Sequence, residues 1–323
     1  MNRREFLSWS AGALAGGVVR ARPVSGECRV AEEAGPMNAA SFHRARRYAE
    51  LAVGRIAYVD RGSGPAALFL HGFPLNGYQW RGIVDRLQSH RRCVTPDFMA
   101  LGYSEVPAEQ PVALDAQSAM LAGLLDKLRI ESVDLVANDS GGATAQLFAI
   151  QNPRRVRTML LTNCDTQNDS PPASFLPIIA AAREGKLAES LARQRDNPEL
   201  ARSPRGTGGL AYSDPANLTD EAIECYFAPL VASPLRRTQL EAFAIALEHN
   251  PLEGIEPALR RILVPTRIVW GEADTTFSQE GADWLDRTLP LSRGVRRVPG
   301  AKLFFPEEMP ELVAEEAQCL WTE

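Results

Sequence analysis

The fold of this chain is decided by residues 133–142, which read Val133-Asp134-Leu135-Val136-Ala137-Asn138-Asp139-Ser140-Gly141-Gly142. Residues 133–137 predict a buried strand, and the apolar spacing of residues 141–151 predicts a helix directly after it. Small residues in such a strand-to-helix turn let the two backbones approach closely, which lifts one side chain above the edge of the sheet. The turn therefore predicts a reactive side chain at the carboxyl end of a strand.

Two residues of this turn compete for the raised position. The turn needs a small residue two positions before the raised residue, and two more at the second and third positions after it. Asp139 is the raised residue if these small residues are Ala137, Gly141 and Gly142. If Ser140 is central instead, one small position falls on Asn138, which fits a closely packed site poorly. A third interpretation, in which Asp139 only caps the helix, involves no chemistry. We expect Asp139 to be the reactive residue.

Short apolar runs alternate with helical patterns along the body of the chain. The pattern is typical of an α/β domain, in which helices flank a mostly parallel sheet. Asp115 is the expected cap of the first long helix. The predicted strands are residues 55–59, 66–70, 93–95, 133–137, 156–161 and 266–270, and the predicted helices are residues 115–128, 141–151 and 310–321.

The middle of the chain has a different pattern. Residues 166–255 contain several helical segments, interrupted at Pro171-Pro172 and at 206–209, and no strand pattern. We expect a helical insertion on the rim of the sheet, called the lid below. The predicted organisation is residues 1–35 as export signal and linker, residues 36–165 and 256–323 as the α/β core, and residues 166–255 as the lid.

The N-terminus indicates the destination of the protein. Arg3-Arg4-Glu5-Phe6-Leu7, followed by a weakly apolar stretch, resembles the twin-arginine export signal of bacteria. The stretch is shorter than the roughly 20 apolar residues that a membrane span needs. We therefore expect export by the twin-arginine route, to the periplasm or the exterior.

Composition limits the partners and cofactors. The 323 residues are 45% hydrophobic, enough for one large core, and the net charge of −5 comes without any block of Lys or Arg. We expect a small-molecule substrate, no nucleic acid, and no membrane once the signal is removed. The five cysteines and four histidines show no metal spacing, and no glycine-rich phosphate loop is present, so no cofactor or metal is expected. The cysteines are expected to be mostly buried.

Two more segments follow predicted strands. His71-Gly72-Phe73-Pro74 follows the strand at 66–70, and Gly271-Glu272-Ala273-Asp274 follows the strand at 266–270. Asp274 thus lies where α/β sheets place functional groups. The first loop is expected to aim the backbone N–H of Phe73 opposite that of Ser140, and such a pair stabilises negative charge on an oxygen. His71 is expected to hold this loop together.

These elements, in this order, resemble the α/β-hydrolase superfamily. The aspartate at the turn narrows the resemblance to haloalkane dehalogenases and epoxide hydrolases. Further similarity lies in Pro96-Asp97, Gly102-Tyr103-Ser104 and Val264-Pro265-Thr266. The resemblance implies an α/β-hydrolase fold, with a mostly parallel sheet flanked by helices and a helical lid insertion.

The resemblance also implies a reaction. Asp139 would attack a carbon and form an alkyl-enzyme ester, and a histidine oriented by Asp274 would activate water to hydrolyse that ester. In the family this histidine lies near the C-terminus, but here its position is Leu303, or Lys302 if the register slips by one. The histidines of this chain are His43, His71, His90 and His249, and none follows Asp274.

Three replacements for the missing base remain open. His249, at the end of the lid, would have to fold over the site; Lys302 would need a pKa lowered by burial; or the site works without a hydrolytic base. Epoxide hydrolases use lid tyrosines as donors to the epoxide oxygen, which makes Tyr212 and Tyr226 candidates for substrate binding.

The sequence leaves three functions open. The first is a hydrolase that cleaves an epoxide, carbon–halogen or ester bond of a small organic substrate through Asp139. The second is a binding protein on the same fold that performs no hydrolysis. The third is a serine hydrolase that uses Ser140. The tryptophan that follows the nucleophile in these dehalogenases is replaced here by Ser140, which argues against a haloalkane.

Overall fold

The structure is a computed structural model and describes residues 37–322. The predicted export signal and linker lie outside these residues. The strands are β1 Arg46–Leu51, β2 Gly54–Arg61, β3 Ala66–Leu70, β4 Arg92–Pro96, β5 Val133–Asp139, β6 Val156–Cys164, β7 Thr266–Gly271 and β8 Ser292–Val298. They form one eight-stranded sheet in the order β1-β2-β4-β3-β5-β6-β7-β8. The pairs β1–β2 and β2–β4 are antiparallel and the other pairs are parallel.

Helices surround this sheet. Those outside the lid are α1 Ala39–Ala45, α2 Arg81–Leu87, α3 Leu114–Lys127, α4 Ser140–Gln151, α11 Glu256–Leu259, α12 Gln279–Thr288, α13 Phe305–Glu308 and α14 Pro310–Thr322. Those of the lid are α5 Leu176–Arg183, α6 Leu187–Asp196, α7 Pro198–Arg202, α8 Thr207–Ala211, α9 Asp220–Val231 and α10 Pro234–Ala246. Short 3₁₀ helices lie at Gly77–Trp80, Pro153–Arg155, Ala173–Phe175 and Pro215–Asn217. Within residues 37–322, no helix has the length and apolarity needed to cross a bilayer.

The central strands are buried because helices cover them. Every residue of β3 and of β5 is buried, as expected for parallel strands without a solvent-facing side. Helix α4 packs against α3 and against β5 and β6, whereas α14 packs against α2, β6 and β7. The large side chains of this core include Phe69, Trp80, Phe148 and Trp270. The carboxyl ends of β3, β5 and β7 carry the three loops singled out in the sequence.

The predicted α/β-hydrolase architecture is confirmed, with local corrections. The two edge strands β1 and β8 lacked a recognisable strand pattern because both carry many charged residues. The expected cap Asp115 is wrong by two residues: α3 begins at Leu114, and Ala113 is its cap residue without a side-chain hydrogen bond. Asp115 lies in the first turn, where a negative charge favours the helix dipole.

The cysteines of the described residues are free thiols. Cys93, Cys164 and Cys225 are buried, as expected for small apolar side chains, and Cys319 on α14 is exposed. Burial raises the pKa of the Cys164 thiol well above its usual range. Cys28 lies outside the described residues.

Candidate active site

Asp139 occupies a strained backbone position between β5 and α4. Its φ of 56° and ψ of −135° are angles that a residue with a side chain rarely adopts. Such conformations cost about 1–3 kcal/mol and persist only where the flanking structure imposes them. The strand before Asp139 and the helix after it impose them here, and the side chain remains 8% exposed.

The glycines around the turn are sterically required. A Cβ on Gly141 would lie 2.4 Å from the carbonyl oxygen of Leu70, and one on Gly142 would lie 2.3 Å from the Cβ of Cys164. Helix α4 therefore lies too close to the backbone at the end of β3, and to the side chain of Cys164 at the end of β6, for a side chain at either glycine. A Cβ on Gly72 would lie 2.4 Å from Oδ2 of Asp139, so the carboxylate itself fills the space beside this loop.

The carboxylate of Asp139 lies between two backbone donors. The N–H of Phe73 donates to Oδ2 at 2.8 Å, and the N–H of Ser140 also hydrogen-bonds the carboxylate. The structure thus brings together the two N–H groups and the side chain that the sequence singled out. An oxygen of Asp139 occupies the place where such N–H pairs stabilise developing negative charge.

Burial dominates the protonation of this group. The pKa of Asp139 is raised well above its usual range, first by burial and then by the nearby charge of Asp165, with a smaller contribution from Asp274. The hydrogen bonds from Phe73 and Ser140 oppose this shift. Burial also raises the pKa of Asp165, to about 7. Asp139 thus sits among acidic neighbours that disfavour its ionised form.

Asp274 is held in place at the end of β7. Its Oδ2 accepts a hydrogen bond from Nδ2 of Asn163 at 2.8 Å, and its Oδ1 accepts one from the N–H of Thr276 at 2.8 Å. Oδ1 of Asn163 accepts from the N–H of Gly271 at 2.7 Å, which fixes the amide orientation. Burial raises the pKa of Asp274 while these hydrogen bonds lower it. The carboxylate is oriented by β6 and its own loop rather than by a histidine.

Leu303 occupies the place where the resemblance expects a histidine. Its side chain is 5% exposed and lines the same cavity as Asp139. The carbonyl oxygen of Leu303 accepts a hydrogen bond from Nδ2 of Asn138 at 3.0 Å, so its loop is tied to the strand that carries Asp139. The neighbouring Lys302 donates from Nζ to the carbonyl oxygen of Gly209 at 2.7 Å and does not line the cavity.

The histidines of the described residues do not replace that base. His249 is exposed beyond the end of α10 and does not line the cavity, so the expectation that it folds over the site is corrected. His71 is fully buried, and its Nε2 accepts a hydrogen bond from the N–H of Phe98 at 3.0 Å. Its Nδ1 therefore carries the proton and contacts the carbonyl oxygen of Gly72 at 2.9 Å. Burial lowers the pKa of His71, which acts as a neutral brace for the loop.

Three other candidates lie away from the cavity. The hydroxyl of Tyr212 donates to Oε2 of Glu307 at 2.6 Å, and the buried hydroxyl of Tyr226 has no hydrogen-bond partner among residues 37–322. Neither tyrosine lines the cavity, so their expected role as substrate donors is corrected. The hydroxyl of Ser140 is buried without a partner in the described chain and is also outside the lining. Ser140 contributes its N–H, not its side chain.

The cavity beside Asp139 has a volume of about 230 Å³, which suits a small molecule. Its wall is mostly apolar, with Phe73, Phe175 and Phe304 among its aromatic residues. Asp139 is the one carboxylate and Arg205 the one cation among the described residues that line it. The lid supplies much of this wall, including polar residues that sequence reasoning missed, and no motif marks them.

The sequence indicates some of the supporting residues by their position shortly after a predicted strand. Asn163 and Asp165 follow a predicted strand and so lie at the same sheet edge as Asp139. No sequence pattern marks Gln79 as a supporting residue. Its Nε2 donates to Oδ1 of Asn138 at 2.8 Å, and its Oε1 accepts a hydrogen bond from the N–H of Gly72 at 3.1 Å. This side chain joins the loop after β3 to the carboxyl end of β5.

Comparison with known proteins agrees with the fold of this chain. A family model described as alpha/beta hydrolase fold matches residues 65–308. Haloalkane dehalogenase 2 of Mycobacterium tuberculosis is 25% identical over 291 residues, covering 83% of this chain and 92% of that protein. A 2-hydroxymuconate semialdehyde hydrolase of a Pseudomonas species is 37% identical over 238 residues, covering 71% of this chain and 78% of that protein. The solved epoxide hydrolase CorEH has a TM-score of 0.71 at 21% identity and covers 86% of this chain and 98% of its own, a likeness of fold.

Proposed function

Because the chain belongs to the α/β-hydrolase fold family, we propose that it is a hydrolase-type enzyme with Asp139 as its nucleophile. Its substrate is a small organic molecule with an electrophilic carbon. The observation that carries this proposal is the carboxylate of Asp139 at the cavity wall, oriented by the backbone N–H of Phe73 at 2.8 Å. Asp274 is the supporting acid, held in place by Asn163.

The first step transfers the organic group to Asp139. Oδ1 of the ionised carboxylate forms a bond to the carbon as the bond to the leaving group breaks, and the leaving group takes the electron pair. Oδ2 becomes the carbonyl oxygen of the resulting ester and keeps its hydrogen bond from Phe73. The same N–H groups are placed to stabilise negative charge on Oδ2 when water attacks the ester.

The second step is slow in this chain. Water attacks an ester efficiently when a base removes its proton, and loss of a general base typically costs about 10²- to 10⁴-fold in rate. Leu303 lines the cavity where the base is expected, and the side chains of His249 and Lys302 are outside the lining. The ester on Asp139 therefore accumulates.

The cavity favours certain leaving groups. Asp139 and Arg205 are the titratable groups among its described lining residues, and neither Tyr212 nor Tyr226 reaches it. An epoxide oxygen must gain a proton as it leaves, whereas a halide or a carboxylate leaves without one. We therefore favour a carbon–halogen or alkyl ester bond over an epoxide among the three candidate bonds, although Ser140 stands where these dehalogenases have a halide-binding tryptophan.

Mass spectrometry of the intact protein tests the proposal. The full chain is incubated separately with a bromoalkane, an alkyl ester and an epoxide. We expect an added mass equal to the transferred group, located by peptide mapping on Asp139, absent from Asp139→Asn and retained in Ser140→Ala. An adduct that maps elsewhere, or that persists in Asp139→Asn, contradicts the proposed nucleophile.

One observation favours a second candidate function, a binding protein that performs no hydrolysis. Leu303 leaves the pocket intact while removing the base, as expected if binding alone was retained. In that case none of the electrophiles forms an adduct, and Asp139→Asn binds the ligand as tightly as the wild type. Adduct formation on Asp139 would show that the protein is an enzyme and not only a binding protein.

We also propose that the protein is exported by the twin-arginine route to the periplasm or the exterior. The support is the sequence Arg3-Arg4-Glu5-Phe6-Leu7 and the weakly apolar stretch after it, which lie outside the described residues. Changing both arginines to lysine is expected to leave the uncleaved precursor in the cytoplasm. Export of that double variant at the normal level contradicts the proposal.

A further inference from the structure

One face of the lid helix α6 lines the cavity and carries both apolar and polar groups. Four residues of α6 line the cavity and are spaced as neighbours on one side of the helix: Leu187, Ser190, Leu191 and Gln194. The two leucines extend the apolar wall. Ser190 and Gln194 place polar groups among otherwise apolar surroundings, which calls for a ligand with a polar group at that position.

Gln194 presents hydrogen-bond donors that have no protein partner. Its side-chain oxygen accepts from the N–H of Thr207 at 2.9 Å and from the hydroxyl of Thr207 at 3.0 Å. A backbone N–H can only donate, so this contact fixes the oxygen of the amide and leaves Nε2 as the free end. Gln194 is 8% exposed, and its Nε2 has no hydrogen bond to any residue that the structure describes.

Arg205 lies two residues before Thr207, the residue that anchors this amide, on a hydrogen-bonded turn. The N–H of Gly206 donates to the carbonyl oxygen of Ser203 at 2.9 Å, and a Cβ on Gly206 would lie 2.2 Å from the carbonyl oxygen of Leu200. The following residue, Thr207, is anchored to Gln194. Arg205 itself lines the cavity, is exposed, and has no ion pair or hydrogen bond within residues 37–322.

We propose that Arg205, Gln194 and Ser190 form a subsite for a carboxylate of the substrate. The guanidinium and the amide nitrogen supply donors that match two carboxylate oxygens, and the apolar wall accommodates the carbon chain between that group and Asp139. This inference rests on the proposed function, because it assigns the substrate class of that same site. The substrate is a small organic acid whose reactive carbon lies at the other end of an apolar segment.

Calorimetric binding of two matched probes tests the subsite. Hexanoate and its uncharged analogue hexanamide are titrated into the full chain carrying Asp139→Asn, which removes the nucleophile and its charge. We expect hexanoate to bind about ten- to a hundred-fold more tightly than hexanamide, the range expected for charge-assisted hydrogen bonds. Arg205→Gln is expected to abolish this preference.

Two further variants separate the subsite from general charge effects. Gln194→Glu retains an acceptor for Thr207 but replaces the free donor by a carboxylate oxygen, so it is expected to weaken hexanoate binding. Arg154→Gln removes an exposed arginine outside the cavity lining and is expected to leave the preference intact.

The inference is overturned if the two probes bind equally, if neither binds, or if Arg154→Gln weakens hexanoate binding as much as Arg205→Gln. Binding of hexanoate does not require the nucleophile, so the carboxylate subsite and the reaction at Asp139 can be refuted independently. Carboxylate preference without any adduct on Asp139 refutes the proposed reaction alone. Adducts from neutral electrophiles without carboxylate preference refute the subsite alone.

Discussion

Asp139 must be ionised to attack, yet its surroundings favour the protonated form. Burial and the charge of Asp165 raise its pKa, and the N–H groups of Phe73 and Ser140 oppose the rise. The reactive fraction therefore grows as the pH rises through this elevated pKa. Adduct formation is expected to be faster at alkaline than at mildly acidic pH. A solvent-exposed aspartate, with a pKa of about 3.9, would show no such change above roughly pH 5.

Asp165→Asn tests the electrostatic part of this account. After burial, the charge of Asp165 is the largest cause of the raised pKa of Asp139. The variant removes that charge, so the pH midpoint of adduct formation is expected to fall. The rate of adduct formation, measured by intact mass across a pH series, gives that midpoint. An unchanged midpoint contradicts the assigned interaction between the two carboxyls.

The same variant makes a stability prediction of defined sign. The folded-state pKa of Asp165, about 7, lies above its unfolded value, so its contribution to stability is full in acid and is lost as the pH rises through 7. Asp165→Asn is therefore expected to stabilise the protein by up to about 4 kcal/mol above that pH, relative to its effect in acid. Urea unfolding at an acidic and an alkaline pH measures the difference.

Candidate residues that follow strands could be placed from the sequence, whereas those in the lid could not. Asp139, Phe73 and Asp274 follow predicted strands, and parallel strands bring such positions to one sheet edge wherever they lie along the chain. Tyr212 and His249 lie in the lid, where the direction of a side chain depends on packing between helices that the sequence does not reveal. Their assigned roles were corrected for that reason.

At the level of elements, the turn between β5 and α4 depends on close backbone approach. Gly141→Ala places a Cβ 2.4 Å from the carbonyl oxygen of Leu70, a backbone atom that cannot easily move. We expect the variant to lose about 3 kcal/mol or more of its free energy of unfolding, or to fail to fold.

Gly123→Ala is the matched control for that variant. A Cβ on Gly123, inside α3, would lie 3.8 Å from Cδ1 of Leu51, an ordinary contact. We expect a gain of about 0.5–1 kcal/mol because alanine is the better helix former. Equal effects of the two substitutions in urea unfolding contradict the steric account of the turn.

Buried strands could be predicted from the sequence, whereas the exposed edge strands could not. Strands β3, β5 and β7 are central, so their apolar runs are continuous and were recognised from the sequence. The edge strand β8 carries arginines whose charges are matched by neighbouring helices: Arg296 pairs with Glu316 of α14, and Arg297 pairs with Asp283 of α12. That pairing appears only after folding, so β8 lacked a strand signal.

Over the whole molecule, the lid is joined to the loop that carries Leu303. The N–H of Phe304 donates to the carbonyl oxygen of Ala211 at 2.9 Å. Glu308 accepts hydrogen bonds from Ser213 and from the N–H of Asp214, each at 2.9 Å. These contacts hold residues 211–217 of the lid against the loop and against helix α13, and Ala211, Leu303 and Phe304 all line the cavity.

Glu308→Ala is expected to loosen this part of the lid. Removing the carboxylate leaves the N–H groups of Ser213 and Asp214 without their acceptor, so amide hydrogen exchange in residues 211–217 should accelerate while β3 and β5 remain protected. Glu311→Ala is the control, because that exposed carboxylate pairs only with Arg86 in the described chain. Equal exchange in both variants contradicts the anchoring role of Glu308.

The central claim is that the nucleophile Asp139 remains while its base has been replaced by Leu303. The most direct test is a time course of intact mass after a pulse of bromoalkane, comparing the wild type with Leu303→His and with Leu303→Gln as a control for the polar substitution. We expect the wild-type and Leu303→Gln adducts to persist, and the Leu303→His adduct to decay about 10²- to 10⁴-fold faster with release of the alcohol. Rapid turnover by the wild type without an adduct on Asp139, or decay that Leu303→His does not accelerate, would contradict the claim.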